Sequence, residues 1–247
     1  MRHWCAPCVA GLLALALIAP AIAEDLVVIE SSSPQIAVGS VIASGAAITL
    51  PAGARAVLVS AAGRTVALAG PYSGTPGSGA AGGDSRLLTA LASLVQRKAE
   101  DTSSVGAVRA GGNAWRFDTV ASLADVMAID LDGGGETCLY DVAGAEVARN
   151  PTSPSSSANI FNVQTGASAA VQWTKVGARM PWPKPLTLEH GQTYMVERPG
   201  QSQSTLVTIK VLSAIAPNDL QRAAQLAAAG CEDQARLLLA LVAKQAK

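Results

Sequence analysis

The sequence predicts a mainly β protein with α content. It reads as two small β-units of roll or sandwich type, joined by a linker and one helix and followed by a C-terminal αα-hairpin. Three observations predict this. Short β-rich apolar runs recur at intervals of roughly 8–10 residues between glycines and prolines, over 26–70 and again over 125–213. Apolar residues fall at helical spacing over 86–98 and again over 218–244. The composition is 49% hydrophobic but only 4% aromatic, so the cores must be built mainly from Ala, Val and Leu.

Residues 1–23 have the layout of a secretory signal peptide. Arg2 and His3 make a short basic start, Val9 to Ala19 an apolar run too short to span a bilayer, and Ala21-Ile22-Ala23 a small-residue cleavage site. The alternative is an uncleaved anchor. With cleavage the mature chain begins at Glu24 and is periplasmic or secreted, and Cys5 and Cys8 are lost with the signal. No later stretch is long and apolar enough to suggest a membrane span. The remaining cysteines, Cys138 and Cys231, are most simply a disulfide in an oxidising compartment, with two buried free thiols as the alternative.

Residues 24–72 form the first β-unit. Its runs are Leu26 to Ile29, Val41-Ile42, Ile48 to Leu50, Ala56 to Val59 and Val66 to Leu68, separated by Gly39, Gly45, Pro51 and Gly63. Val38-Gly39, Val41-Ile42, Gly45, Ile48-x-Leu50, Gly53-Ala54, Leu58, Gly63 and Val66-x-Leu68 resemble the FecR-type periplasmic β-domain over about 35 residues. FecR proteins also have a cytoplasmic segment and a membrane span, neither of which is predicted here. The resemblance therefore implies the sheet and not the signalling role.

Residues 73–113 predict a Gly/Ser-rich linker carrying one helix, at 86–98. Within the linker, Gly77-x-Gly79-x-x-Gly82 matches a dinucleotide-binding pattern. Pro71 and Pro76 part it from the strand that such a site needs, so no cofactor is expected. The helix has Asp84 or Ser85 as its cap and Leu87, Leu88, Leu91, Leu94 and Val95 along one face, with Arg97-Lys98 suited to its C-terminal end.

Residues 114–215 form the second β-unit, with candidate strands at 126–131, 137–142, 160–163, 169–173, 193–197 and 206–212. Leu188-x-x-Gly191-x-x-Tyr194, preceded by Val171-x-Trp173, resembles the tyrosine corner of immunoglobulin-like and fibronectin type III sandwiches. That resemblance implies a two-sheet fold with the Tyr194 hydroxyl bonded back to upstream backbone. Cys231 lies beyond the β-region, so a Cys138–Cys231 bond would not be the inter-sheet immunoglobulin bridge.

Residues 216–247 predict the hairpin. Asn218 with Gln221 suggests a capping box. Leu220, Ala223, Ala224 and Ala227 form one stripe, Gly230 makes the turn, and Ala235, Leu238, Leu239 and Val242 form the second stripe. It resembles one tetratricopeptide-type unit, without a second copy. A hairpin this short must dock on something.

The chemistry available is sparse. The chain has 18 basic and 18 acidic residues and a formal net charge of zero, which excludes a broad phosphate-neutralising surface and disfavours nucleic acid as a partner. After the signal the single histidine is His190, so zinc sites built on several His, or on His with clustered Cys, are excluded. His190 sits in a predicted turn and reads as a solvated turn residue rather than a general base. Asp130, Asp132 and Glu136 read as a glycine-relieved hairpin loop, with a weak calcium site as the alternative. Pro181-Trp182-Pro183 is a rigid aromatic segment, either a platform for a partner or a Trp packed over a sheet edge. No catalytic constellation is found. The expectation is an exported, non-catalytic envelope interaction or scaffold module that binds a protein or glycan. The alternatives are an envelope hydrolase with unidentified carboxylates and a structural subunit of a secreted assembly.

Overall fold

The computed structural model describes residues 24–76, 85–101, 116, 119–150, 156–173 and 179–246. Residues 1–23, the Gly77–Gly82 motif and the candidate cap Asp84 lie outside the described residues. The fold is mainly β with α, ending in a helical hairpin. Among the described residues no helix is long and apolar enough to cross a membrane.

The N-terminal strands are β1 (Leu26–Ser31), β2 (Val41–Ile42), β3 (Ile48–Leu50), β4 (Arg55–Ser60), β5 (Thr65–Ala69) and β6 (Tyr72–Gly74). They form an antiparallel sheet of order β2-β1-β4-β5, with β3 and β6 paired as a separate ribbon. β4 is apolar at successive positions because both of its faces are covered. Ala56 and Leu58 join Leu26, Val28, Ile48 and Leu50 in one core. Val59 and Val27 enter a second core on the opposite face. Continuous apolar strands of this kind are the signature of two-sided burial.

That second core belongs to the helices. α1 (Ser85–Asp101) starts within a residue of expectation and extends three residues past it, and it buries Leu88, Leu91, Ala92 and Leu94. α3 (Asp219–Ala228) opens where the sequence predicted, with the Asn218 side chain accepting the Gln221 N–H at 2.9 Å. Gly230 turns the chain at φ 87°, a left-handed conformation that favours glycine, into α4 (Glu232–Gln245). Leu226, Leu237, Leu238 and Leu241 complete the core.

The expected strand over 126–131 is corrected. Its first half is a short helix, α2 (Leu123–Met127), capped by the Ser122 side chain accepting from Asp125 N–H. Only Ile129–Asp130 is strand, β7. The cap decides the outcome, because a Ser followed three residues later by an acid can satisfy the first helical N–H groups.

The remaining strands are β8 (Gly135–Leu139), β9 (Glu146–Ala148), β10 (Ser157–Asn162), β11 (Ser168–Gln172), β12 (Arg179–Pro181), β13 (Thr193–Glu197) and β14 (Thr205–Val211). They make a five-stranded sheet of order β11-β10-β13-β14-β8 and a three-stranded sheet of order β12-β9-β7. Both sheets contribute to one core, which includes Ile129, Val147, Ile160, Tyr194, Val196, Val207 and Ile209. The 130–136 loop is not a hairpin, because β7 and β8 belong to different sheets. Each is joined in parallel to another strand, β7 to β9 and β8 to β14. A side chain at Gly134 would meet the Leu206 carbonyl at 2.6 Å, so the crossing requires glycine there.

Candidate functional site

Cys138 and Cys231 form a disulfide, with their Cα atoms 5.9 Å apart. Cys138 lies on β8, the strand at one edge of the five-stranded sheet, and Cys231 on the turn between α3 and α4. Gln234, buried one helical turn further on, closes the same junction. Its Oε1 accepts the Cys138 N–H at 2.6 Å, and its Nε2 donates to the Cys138 and Val126 carbonyls at 3.1 Å. The side-chain amide thus takes the place of a neighbouring strand along this edge. Sequence reasoning missed Gln234. The available signal was a polar residue three positions after Cys231 and four before Leu238, on a stripe that otherwise reads as buried.

Tyr194 is fully buried, and its hydroxyl lies within hydrogen-bond reach of both the Thr187 carbonyl and Gln192 Oε1, which compete for its single proton. Burial pushes the phenol above its ordinary value. Leu188 packs on the same core, and Gly191 donates its N–H to Ile209 O at 2.8 Å. Trp182 is half-buried. Its ring meets Tyr194 edge-on at 5.0 Å, and its Nε1 donates to the Leu186 carbonyl at 2.7 Å. Pro181 is exposed and Pro183 half-buried on either side. The indole therefore spends its donor and one edge on the core, which is the packing expected of a Trp at a sheet margin.

The acidic residues of the 130–136 loop face three different cations. Asp130 is buried 3.9 Å from Arg116 and accepts the Asp132 and Gly133 N–H groups. Asp132 pairs with Arg198 at 3.3 Å and accepts the Asn150 N–H at 2.5 Å. Glu136 pairs with Lys210 at 2.6 Å. Burial pushes the Asp130 carboxyl up against the pull of Arg116, and burial also draws the Arg116 guanidinium down. Arg116 donates to the carbonyls of Asp125, Val126 and Ala128. These contacts describe a staple beneath the loop, tying α2 to β7. Among the described residues no cluster of three or more His, Cys, Asp or Glu is arranged to hold a metal. His190 is exposed and contacts the Val211 backbone at 3.2 Å through Nδ1.

Cavities on the described surface include two near the helices. A polar one of about 400 Å³ lies between the β4–β5 turn and the helical hairpin, lined by Gly63, Thr65, Asn218 and Arg222 among others. The second, of about 320 Å³, is an apolar groove where α2 meets the two-sheet unit. Its walls are Leu123, Met127, Leu139, Tyr140, Ala145 and Ile215. Ile215 is 52% exposed, and Val142 on the adjoining turn is 38% exposed. Asp141 and Glu146 stand on the rim, and no Lys or Arg lines the groove. Arg179 pairs with Glu146, which lines the groove, at 2.9 Å and with Asp125 at 3.3 Å. The sequence did not reveal the groove, because its walls come from three separated segments.

No family model, curated protein or solved structure matches the chain. The FecR-type and sandwich resemblances therefore rest on the residues that carry them.

Proposed function

We propose that the chain is an exported, non-catalytic interaction module of the cell envelope whose partner is a protein. The single observation that carries this reading is the apolar groove between α2 and the two-sheet unit, with Ile215 and Val142 exposed beside it. Large exposed apolar residues around a concave, mostly apolar surface are a feature of protein-binding sites. A glycan fits less well, since the groove offers few polar groups and its one aromatic hydroxyl, on Tyr140, is donated to Gln225 at 3.0 Å. The acidic rim selects a segment with an apolar anchor and basic flanks. Export rests on residues 1–23. The hydrolase alternative is disfavoured because Asp130 and Asp132 are each tied to their own arginine and to loop N–H groups, away from both cavities.

The test is a photo-crosslinking residue at position 215, used in the cells that make the protein. The expected result is one discrete protein adduct whose yield falls by more than about tenfold with Met127→Glu. The adduct should recover a sequence with Lys or Arg flanking an apolar run. No discrete adduct, or one indifferent to Met127→Glu, overturns the proposal.

A further inference from the structure

β11 is an outermost strand of the five-stranded sheet, and among the described residues no strand pairs with its outer edge. The direction of its peptide groups follows from the register. Ala167 accepts from Asn162 N–H at 2.8 Å, and Trp173 donates to Ser156 O at 2.8 Å. Each of these pairs lies on the same antiparallel register as Ala169–Ile160 and Val171–Ala158. In such a ladder the residues that exchange hydrogen bonds alternate with residues that do not. Ser168, Ala170 and Gln172 therefore aim their N–H and C=O groups away from β10, along the open edge. Their side chains are all exposed.

The molecule handles its other edges differently. β2 and β7 are two residues long, and β12 carries Arg179 and Pro181. Cys138 on β8 has its free backbone groups filled by Gln234. β5 has outward Thr65, Ala67 and Ala69, and at its first residue the edge faces the start of α3 across the polar cavity that Thr65 shares with Pro217, Asn218 and Asp219. Among the described residues, β11 is an edge strand that combines a length of five residues with no charge, no Pro and no side chain bonded to its outward backbone groups. Charged residues, Pro and bulges are the usual devices that keep an edge from pairing.

We infer that β11 pairs antiparallel with β11 of a second copy of this chain, across a two-fold axis at Ala170. This inference is independent of the groove. Centring on Ala170 uses all three outward residues, matching Ala170 with Ala170 and Ser168 with Gln172 twice. It gives about six backbone hydrogen bonds, two for each hydrogen-bonded pair. A self-pairing strand sets every near-axis charge against its own copy, which is destabilising. Ser-Ala-Ala-Val-Gln contains none. The small Ala170 side chains meet at the axis without crowding. The two five-stranded sheets then continue as one, with their solvent faces on the same side.

The experiment is sedimentation of the exported chain over a concentration series, with hydrogen exchange read amide by amide. The expected result is a concentration-dependent species of twice the chain mass. With rising concentration the amides of Ser168, Ala170 and Gln172 slow by at least about tenfold, while those of Ala169 and Val171 are protected throughout. Ala170→Pro removes the central outward donor and leaves the β10 ladder intact, so it returns the protein to single chains. Ala170→Lys sets two ammonium groups on the axis and gives the same result even where the proline variant fails to fold. A single-chain mass at every concentration overturns the inference. So does a doubled mass that survives Ala170→Lys, or one that is lost instead with Ala67→Pro on β5.

Discussion

The N-terminal sheet and the five-stranded sheet solve burial in opposite ways. β4 is buried along nearly its whole length, with a ribbon core on one face and the helical core on the other. β10 alternates, burying Ala158, Ile160 and Asn162 and turning Ser157, Asn159 and Phe161 outward. The first sheet depends on partners more than 100 residues away, because α3 and α4 supply much of the cover over Val27 and Val59. The second shares its core with the three-stranded sheet and needs no helix for it. Stability should therefore be uneven. Disturbing the helical layer unseats the N-terminal sheet, whereas the two-sheet unit holds.

The sharpest way to break this asymmetry is at the junction. The disulfide spans a separation of 93 residues. Replacing it with Cys138→Ser and Cys231→Ser is expected to cost about 4 kcal/mol, mainly by freeing the unfolded chain. In hydrogen exchange, α3, α4 and β1 should open while β10, β13 and β14 keep their protection, so the hairpin loosens and the β-fold remains. Uniform loss across both regions would refute the asymmetry. The next effect is Gln234→Leu. It keeps the volume but strands the Cys138 N–H and C=O in a buried seam and leaves the Val126 C=O to Arg116 alone. The expected cost is about 2–3 kcal/mol, read as a shift in denaturant midpoint without change of slope.

This asymmetry also explains what was legible in the sequence. The strand pattern over 193–197 and the Asn218 cap stand where the residues put them, because each depends on local periodicity or local hydrogen bonds. The disulfide was legible from compartment logic and a shortage of alternatives. α2 was misread because its Val126 and Met127, running on into Ala128 and Ile129, look like a strand, and only the Ser122–Asp125 cap distinguishes them. β9 and β12 were missed because three residues each carry too little pattern. The groove was invisible because Met127, Tyr140 and Ile215 come together only through tertiary packing.

Within the two-sheet unit and in α2 beside it the expected effects are smaller. Tyr194→Phe keeps the ring against Trp182 and removes the hydroxyl that reaches Thr187 and Gln192. It should cost about 1 kcal/mol, and unfolding of the N-terminal sheet should be unchanged. The two shifted carboxylates give opposite pH signatures. For Asp125, burial raises the value, but the Ser122 hydroxyl, the Ala121 N–H and Arg179 together outweigh it and hold the group below its unfolded value. Its contribution is present above about pH 3.9 and is lost as pH falls through the folded value. Asp130 is raised, so the folded state favours its protonated form. Its contribution is present below about pH 3.9 and is lost as pH rises through the folded value. Asp125→Asn should flatten the acid limb of a midpoint-against-pH curve, whereas removing the Asp130 carboxyl should not.

The smallest effect comes from the solvent face of the five-stranded sheet. Ser168, Phe161, Met195 and Leu206 are successive cross-strand neighbours on β11, β10, β13 and β14, and Leu206 is 55% exposed. None of the four belongs to the buried cores. A row of this kind on β4 would lie in a core, and truncating it there would cost several kcal/mol. Here Leu206→Ser should change stability by no more than about 0.5 kcal/mol in either direction, since the residue gains little burial on folding. The thermal midpoint of single chains, measured at low concentration, checks it. A loss above about 1 kcal/mol would mean that Leu206 is covered in solution. The contrast between a sheet buried on two faces and one buried on a single face would then fail at its outer face, where the alternation of β13 and β14 is most explicit.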